Sequence, residues 1–113
     1  MEIIARWYET GAPMRICIEG ARVAEAARVD AAPGGMPWIA PGLLDMQING
    51  YRGQEFSSDR LTVEHCAEIV EATAAFGVTR FLPTVTTNSL ATLTGALRTI
   101  GEACSQDRRI AAR

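Results

Sequence analysis

The 113-residue chain contains no lysine, one histidine and three cysteines. All 11 basic residues are arginine, which excludes lysine Schiff-base chemistry within this chain. Cys17, Cys66 and Cys104 are far apart and form no C-x-x-C pair, so they indicate neither a disulfide framework nor a zinc knuckle. We interpret them as small buried apolar residues in a reducing environment.

The chain also lacks a strong charge of either sign and a long hydrophobic run. Its 13 acidic and 11 basic residues are scattered and give a net charge of -2. No basic stripe is present that would attract nucleic acid or an anionic membrane, so we predict neither partner. No segment approaches the roughly 20 apolar residues of a membrane span, and no signal peptide is indicated. The sequence therefore predicts a cytoplasmic protein.

Short strands and turns are predicted for residues 1–40. In "MRICIEGARVAE", Arg15, Cys17 and Glu19 alternate with two isoleucines, and Gly20 provides a turn before Val23, which predicts a small hairpin. The Pro- and Gly-rich segment at 31–37 predicts a loop. We interpret residues 1–40 as a small β region and residues 41–113 as a second region.

From Trp38 onward the pattern is strand, helix, strand, helix. The nearly continuous apolar run "IAPGLLDMQI" (39–48) predicts a strand buried on both faces. The segment "VTRFLPTVTT" (78–87) predicts a second strand. Helices are predicted at about 62–76, capped by Thr62 and stopped by Gly77, and at about 89–104, capped by Asn88 or Ser89. The predicted apolar stripes are Val63, Cys66, Ala67, Val70 and Ala74 in the first helix and Leu90, Leu93, Leu97, Ile100 and Cys104 in the second.

Strands that alternate with helices predict an α/β fold with a parallel sheet, either doubly wound or barrel-shaped. Two such units leave a sheet edge uncovered, whereas a (β/α)8 barrel needs about 250 residues. We therefore expect the chain to be the N-terminal part of a larger protein, with the first two βα units of an incomplete barrel.

Two amide side chains, Gln47 and Asn49, stand two residues apart at the end of the first of these strands. Residues at i and i+2 of a strand point the same way. Asn49-Gly50 is also a strong hairpin signal. Because "YRGQEFSSD" alternates poorly, we favour a βα loop over a hairpin turn at this point. Asp45 is expected to orient its neighbours as a hydrogen-bond acceptor rather than to bind a metal.

The stretch "PGLLDMQINGYRGQEF" resembles the amidohydrolase superfamily, whose first barrel strand has the pattern PG-apolar-apolar-D-x-H-x-H. Pro41 to Asp45 match the lead-in, while Gln47 and Asn49 replace the two histidines. The pattern D-x-Q-x-N-G is similar to the N-acetylglucosamine-6-phosphate deacetylase family, and "GVTRFLPTVTTNS" (77–89) resembles that family's second strand. The small β region resembles the sandwich that flanks the barrel in such enzymes.

The resemblance implies a metal-dependent hydrolase that removes the acetyl group from N-acetylglucosamine 6-phosphate. A divalent metal, zinc or a similar ion, would activate the attacking water. The main metal ligands and the catalytic acid would lie beyond Arg113, so the chain alone is expected to be inactive and to bind no metal tightly. Gln47 and Asn49 would line the metal end of the site, at the vacant second-metal position. The resemblance also implies a full enzyme that is a homo-oligomer.

Other candidate residues have simpler explanations. We interpret His65 as a partly exposed helix residue, and it cannot form a catalytic couple with Cys66 because adjacent helical residues diverge by about 100°. Gly50 and Gly53 only weakly resemble a phosphate loop. Thr84, Thr86 and Thr87 lie either at a functional strand end or in a segment of high β propensity.

Two alternative functions remain at this stage. The first is a non-catalytic small α/β module that oligomerises or binds a partner through its open sheet edges. The second is another cyclic amide hydrolase of the same superfamily, similar to dihydropyrimidinases. The replaced histidine pair argues against it, because those relatives normally use two metals.

Overall fold

The structure of the protein is a computed structural model that describes residues 1–30 and 34–106. The chain divides into two compact units, Met1–Pro41 and Gly42–Arg113. The predicted loop at 31–37 lies partly outside the described residues, and the segment after 106 lies wholly outside them. No helix among the described residues is long and apolar enough to cross a membrane.

The first unit is a four-stranded sheet. Its strands are β1 (Glu2–Trp7), β2 (Pro13–Glu19), β3 (Arg22–Arg28) and β4 (Trp38–Ile39), in the spatial order β3-β2-β1-β4. The predicted hairpin is β2–β3, whose strands pair antiparallel around a turn where Gly20 has a φ of 59°. Alternation buries Ala5 and Ile16 and leaves Arg15 free to bridge Glu2 and Glu25 across neighbouring strands.

The second unit contains two parallel strands, a short hairpin and two helices. Its elements are β5 (Leu43–Ile48), β6 (Gly50–Tyr51), β7 (Gln54–Glu55), α1 (Val63–Ala74), β8 (Val78–Pro83) and α2 (Leu90–Gln106). β5 pairs with β8 in parallel, and β6 pairs with β7 antiparallel. The predicted mixed α/β fold with a small β region is confirmed, while the (β/α)8 barrel stays a prediction.

Both helices begin at their predicted capping residues, and α1 ends shortly before its predicted stop at Gly77. Thr62 has extended dihedrals, and its Oγ1 accepts the His65 amide at the start of α1. After α1 the chain turns at Gly77, whose φ of 81° suits a residue without a side chain. Ser89 Oγ accepts the Thr92 amide at the start of α2. These caps fix where each helix begins relative to its preceding strand.

The core of the second unit lies between the strands and the helices. Phe56 and Phe81 pack with ring centroids 5.9 Å apart. The buried cluster consists of Ile48, Phe56, Cys66, Ile69, Val70, Phe81, Ile100 and Ala103. Thr73 is also buried, and its hydroxyl donates to the carbonyls of Ile69 and Val70, which removes the cost of burying it.

Several details of the prediction are wrong. In α1 the predicted stripe residue Ala74 is exposed, whereas Ile69 and Thr73, which were not predicted, are buried. The run 39–48 is not one strand, because β4 pairs with β1 in the first unit and β5 begins only at Leu43. It is not buried on both faces either: Leu43, Leu44 and Met46 are exposed in the described structure. In α2 the buried residues are Ala96, Ile100 and Ala103, whereas Leu90 and Leu97 are exposed, so alanines rather than leucines occupy most of the buried face.

Candidate functional site at the ends of two parallel strands

The carboxyl ends of β5 and β8 meet at one edge of the second unit. The amide of Thr84 donates to the carbonyl of Ile48 at 2.8 Å, which joins the chain after β8 to the last residue of β5. Asn49 follows β5, and Thr84, Thr86 and Asn88 follow β8. Ligands of parallel sheets usually bind at this edge, so these polar residues define the candidate site.

Gln47 and Asn49 both have exposed side chains. The backbone amide of Gln47 donates to Asp45 Oδ1 at 3.0 Å, and the backbone carbonyl of Asn49 accepts the backbone amide of Phe56 at 2.9 Å. The pairing register of β5 shifts between Asp45 and Ile48, so the strand is irregular where Gln47 lies. Asp45 thus holds the backbone of this irregular segment, as an orienting acceptor would.

Ser57 joins the loop after β5 to the loop after β8. Its Oγ accepts the Thr86 amide at 2.7 Å and the Thr86 hydroxyl at 2.9 Å. The Asn88 side-chain amide donates to the Ser57 carbonyl at 3.2 Å. Three hydrogen bonds therefore fix the positions of the two loops relative to each other.

A hairpin does follow β5, but Asn49-Gly50 is not its turn. Gly50 and Tyr51 form β6, and the two turn residues are Arg52 and Gly53, with φ values of 50° and 83°. Left-handed dihedrals at both positions are those of a type I′ turn. Gly50 is required for another reason: a Cβ there would lie 2.0 Å from the Gln54 carbonyl oxygen.

The hairpin borders a hollow of about 500 Å³. All six residues from Gly50 to Glu55 line it, together with Asn49, Ser57 and Thr86. A hollow of this size is within the range of small-molecule sites. Sequence reasoning missed Glu55 and Ser57, because no periodicity or spacing marks them.

His65 and Cys66 lie in α1, and neither lines the hollow of the strand-end site. His65 is half-buried in the first turn, in agreement with its predicted role as a helix residue. Cys66 is fully buried, and desolvation raises the pKa of its thiol to about 11. A buried, protonated thiol is a poor nucleophile, so Cys66 serves packing.

The described residues do not fit a metal centre by themselves. Across residues 1–30 and 34–106, no group of three or more His, Cys, Asp or Glu side chains could hold a metal ion. Gln47 and Asn49 offer only neutral carbonyl oxygens, which are poor replacements for imidazole on zinc. In the described structure, the strand-end site therefore supplies hydrogen-bonding groups and no metal-ligand set.

Comparisons with known proteins give a match at the level of structure. No family model matches the chain, and no curated protein sequence matches it. The crystal structure of N-acetylglucosamine-6-phosphate deacetylase from Pasteurella multocida superposes with a TM-score of 0.73 and 21% sequence identity. The match covers 96% of this chain and 32% of that one, so the chain spans about a third of the length of the solved enzyme. At this identity the likeness shows the fold: the chain has the fold of about a third of that deacetylase.

Proposed function

We propose that this chain forms the N-terminal part of a metal-dependent hydrolase that removes the acetyl group from N-acetylglucosamine 6-phosphate. The observation that carries the proposal is the fold likeness, which extends over 96% of the chain and involves a deacetylase of that sugar. The sequence resemblance supports it independently, because it rests on two separate motifs, at 41–50 and 77–89, and both border the strand-end site.

In this proposal, the residues of the chain bind and orient while the metal ligands come from elsewhere. Gln47 and Asn49 present amide groups that both donate and accept hydrogen bonds, which suits a bound water or a substrate carbonyl. In the described structure, neither side-chain amide bonds to another protein group, so both are available to a ligand. Asp45 holds the Gln47 backbone in place for that role.

The coding sequence that follows Arg113 provides the first test. We expect it to continue in frame into an apolar strand that ends in His-x-Glu-Gly-Pro, which the resemblance implies for the missing metal ligand. The protein expressed with this extension should release acetate from N-acetylglucosamine 6-phosphate in the presence of zinc. The 113-residue chain, assayed identically, should release none.

Matched variants make the test specific for the strand end. In the extended protein, Asn49→Ala and Gln47→Ala should lower kcat/KM by at least about tenfold, the loss expected for hydrogen bonds in a catalytic site. Gln106→Ala changes the same kind of side chain at the end of α2 and should leave kcat/KM unchanged. Acetate release by the 113-residue chain, or an extended protein without deacetylase activity, contradicts the proposal.

A non-catalytic module is the second candidate, and the exposed apolar strand residues favour it. Leu44, Met46 and Leu82 are 50%, 74% and 44% exposed in the described structure. A surface of this kind is covered either by more of the same fold or by another molecule. A stable small oligomer that melts cooperatively, without deacetylase activity in the extended protein, would favour the module.

A further inference from the structure

The two parallel strands of the second unit have one covered face and one open face. Phe81 of β8 points to the covered side, where it belongs to the buried cluster with residues of α1 and α2. Arg80 and Leu82 flank Phe81 in the strand and therefore point the opposite way. Leu44, which pairs with Arg80 across the strands, lies on that same side, as does Met46 two residues further along β5. We define Leu44, Met46, Arg80 and Leu82 as the open face.

The open face is apolar except for one positive charge. Its three apolar residues are between 44% and 74% exposed, and Arg80 is exposed as well. The Arg80 guanidinium forms no hydrogen bond or ion pair with another described residue. Asp45 is the one acid in β5 and β8, and it pairs with Phe81 on the covered side. The charge of Arg80 is therefore not neutralised by either strand.

Covering this face changes the surroundings of Arg80. Apolar side chains that lie together on a strand surface are normally covered by another part of a protein or by a partner. Arg80 lies within β8, with Leu82 beside it and Leu44 opposite, so a layer that covers the leucines also removes water from much of the Arg80 side chain. A guanidinium without water is stable only when an anion pairs with it. The covering layer therefore has to bring a negative charge to Arg80.

Two covering layers differ in whether they can supply that charge. A second copy that docks through its own open face covers the apolar side chains, but it brings another Arg80 and no acid. Further strands of the same protein, in contrast, can place an acidic residue against Arg80. The fold likeness is compatible with such strands, because it extends over 96% of this chain and 32% of the solved deacetylase. The charge on the open face thus favours further strands over a second copy.

We propose that further β-strands of the same protein cover the open face, and that one of them carries an aspartate or glutamate whose carboxylate pairs with Arg80. The inference rests on the proposed function for the existence of a continuation beyond Arg113. The planar guanidinium can donate two parallel hydrogen bonds to such a carboxylate. Arg80 then favours the strand that carries the acid over other strands, because those would leave a buried guanidinium unpaired.

The extended protein tests the proposal. Its crystal structure should show a carboxylate oxygen within about 4 Å of an Arg80 guanidinium nitrogen. Arg80→Met removes the charge and leaves that carboxylate buried and unpaired, so the equilibrium constant for folding, measured by urea denaturation, should fall at least about a hundredfold. Arg98→Met makes the same change at an exposed position of α2 and should alter the constant less than about threefold. In the 113-residue chain, both variants should have effects as small as that of Arg98→Met.

Three results would overturn the inference: an Arg80 guanidinium that is solvated in the crystal structure, one that contacts only a bound anion such as phosphate, or equal stability of Arg80→Met and Arg98→Met in the extended protein. If Arg80→Met does not fold, the crystal structure of the unchanged protein decides. An extended protein that has the ion pair but releases no acetate refutes only the proposed function. Acetate release with a solvated Arg80 refutes only this inference, and a coding sequence that ends at Arg113 refutes both.

Discussion

At the scale of single residues, two glycines of the first motif, Gly42 and Gly50, are explained by close approach rather than by turns. A Cβ on Gly42, the glycine of the Pro-Gly lead-in, would lie 2.1 Å from Thr79 Oγ1 of the neighbouring strand. A Cβ on Gly50 would meet the backbone of Gln54 and Glu55. Backbone cannot move aside as a side chain can, so Gly50 is the more constrained of the two.

Gly50→Ala should therefore destabilise the chain by about 2–4 kcal/mol, through the steric overlap together with an unfavourable φ of 151°. The change in the free energy of unfolding can be measured by urea denaturation followed by circular dichroism. Gly53→Ala is the control: its φ is 83°, yet nothing lies within 4 Å of the added Cβ, so a loss of about 1 kcal/mol is expected. Equal losses of unfolding free energy in the two variants would show that the steric overlap with the backbone at Gly50 does not affect stability.

At the scale of elements, capping and turn residues predicted the boundaries of helices and strands well. The contacts between elements were predicted poorly. Thr62 and Gly77 located α1 because they act within a few residues along the chain. The predicted buried face of α2 is wrong. Ala96 and Ala103 are buried because they pack against other elements, which the hydrophobicity of α2 alone does not encode. The Ser57–Thr86 contact was missed for the same reason: it joins residues 29 positions apart.

Ser57→Ala removes the bridging hydroxyl and should lower the free energy of unfolding by about 1–2 kcal/mol, because the Thr86 amide and hydroxyl lose their acceptor. The same urea measurement applies. Ser105→Ala is matched to it: that hydroxyl donates only to the Glu102 carbonyl within α2, at an exposed position, and its loss should change stability by less than about 0.5 kcal/mol. If Ser57→Ala is as stable as Ser105→Ala, the bridge does not hold the two loops together.

At the scale of the whole molecule, the sequence predicted the small β region and the strand–helix–strand–helix order of the second unit, because both depend on local periodicity. It did not predict the β6–β7 hairpin, where a βα loop was favoured. It did not predict how little of β5 is buried. The apolar run at 43–48 indicates a strand whose two faces are covered, yet Leu44 and Met46 are 50% and 74% exposed in the described structure. Burial depends on what lies against a strand, which the strand's own sequence does not contain.

The exposed strand residues should make the isolated chain associate as its concentration rises. Leu44→Thr combined with Met46→Gln should weaken association at least about tenfold, since burying either side chain stabilises a contact by roughly 1.5–3 kcal/mol. Sedimentation or light scattering over a concentration series measures the effect. Val23→Thr, at a residue 63% exposed on β3, is the control and should associate like the unchanged chain. A chain that stays monomeric at high concentration would contradict the prediction.

The bridge from Ser57 to Thr86 also has a kinetic consequence. The segment it closes contains all of α1 and β8, so the bridge forms only after that segment has folded back on itself. Closing such a loop carries an entropic cost that local helix formation does not. The Thr86 amide is therefore protected from solvent exchange late in folding, and its hydrogen–deuterium exchange rate reports how often the Ser57 bridge opens.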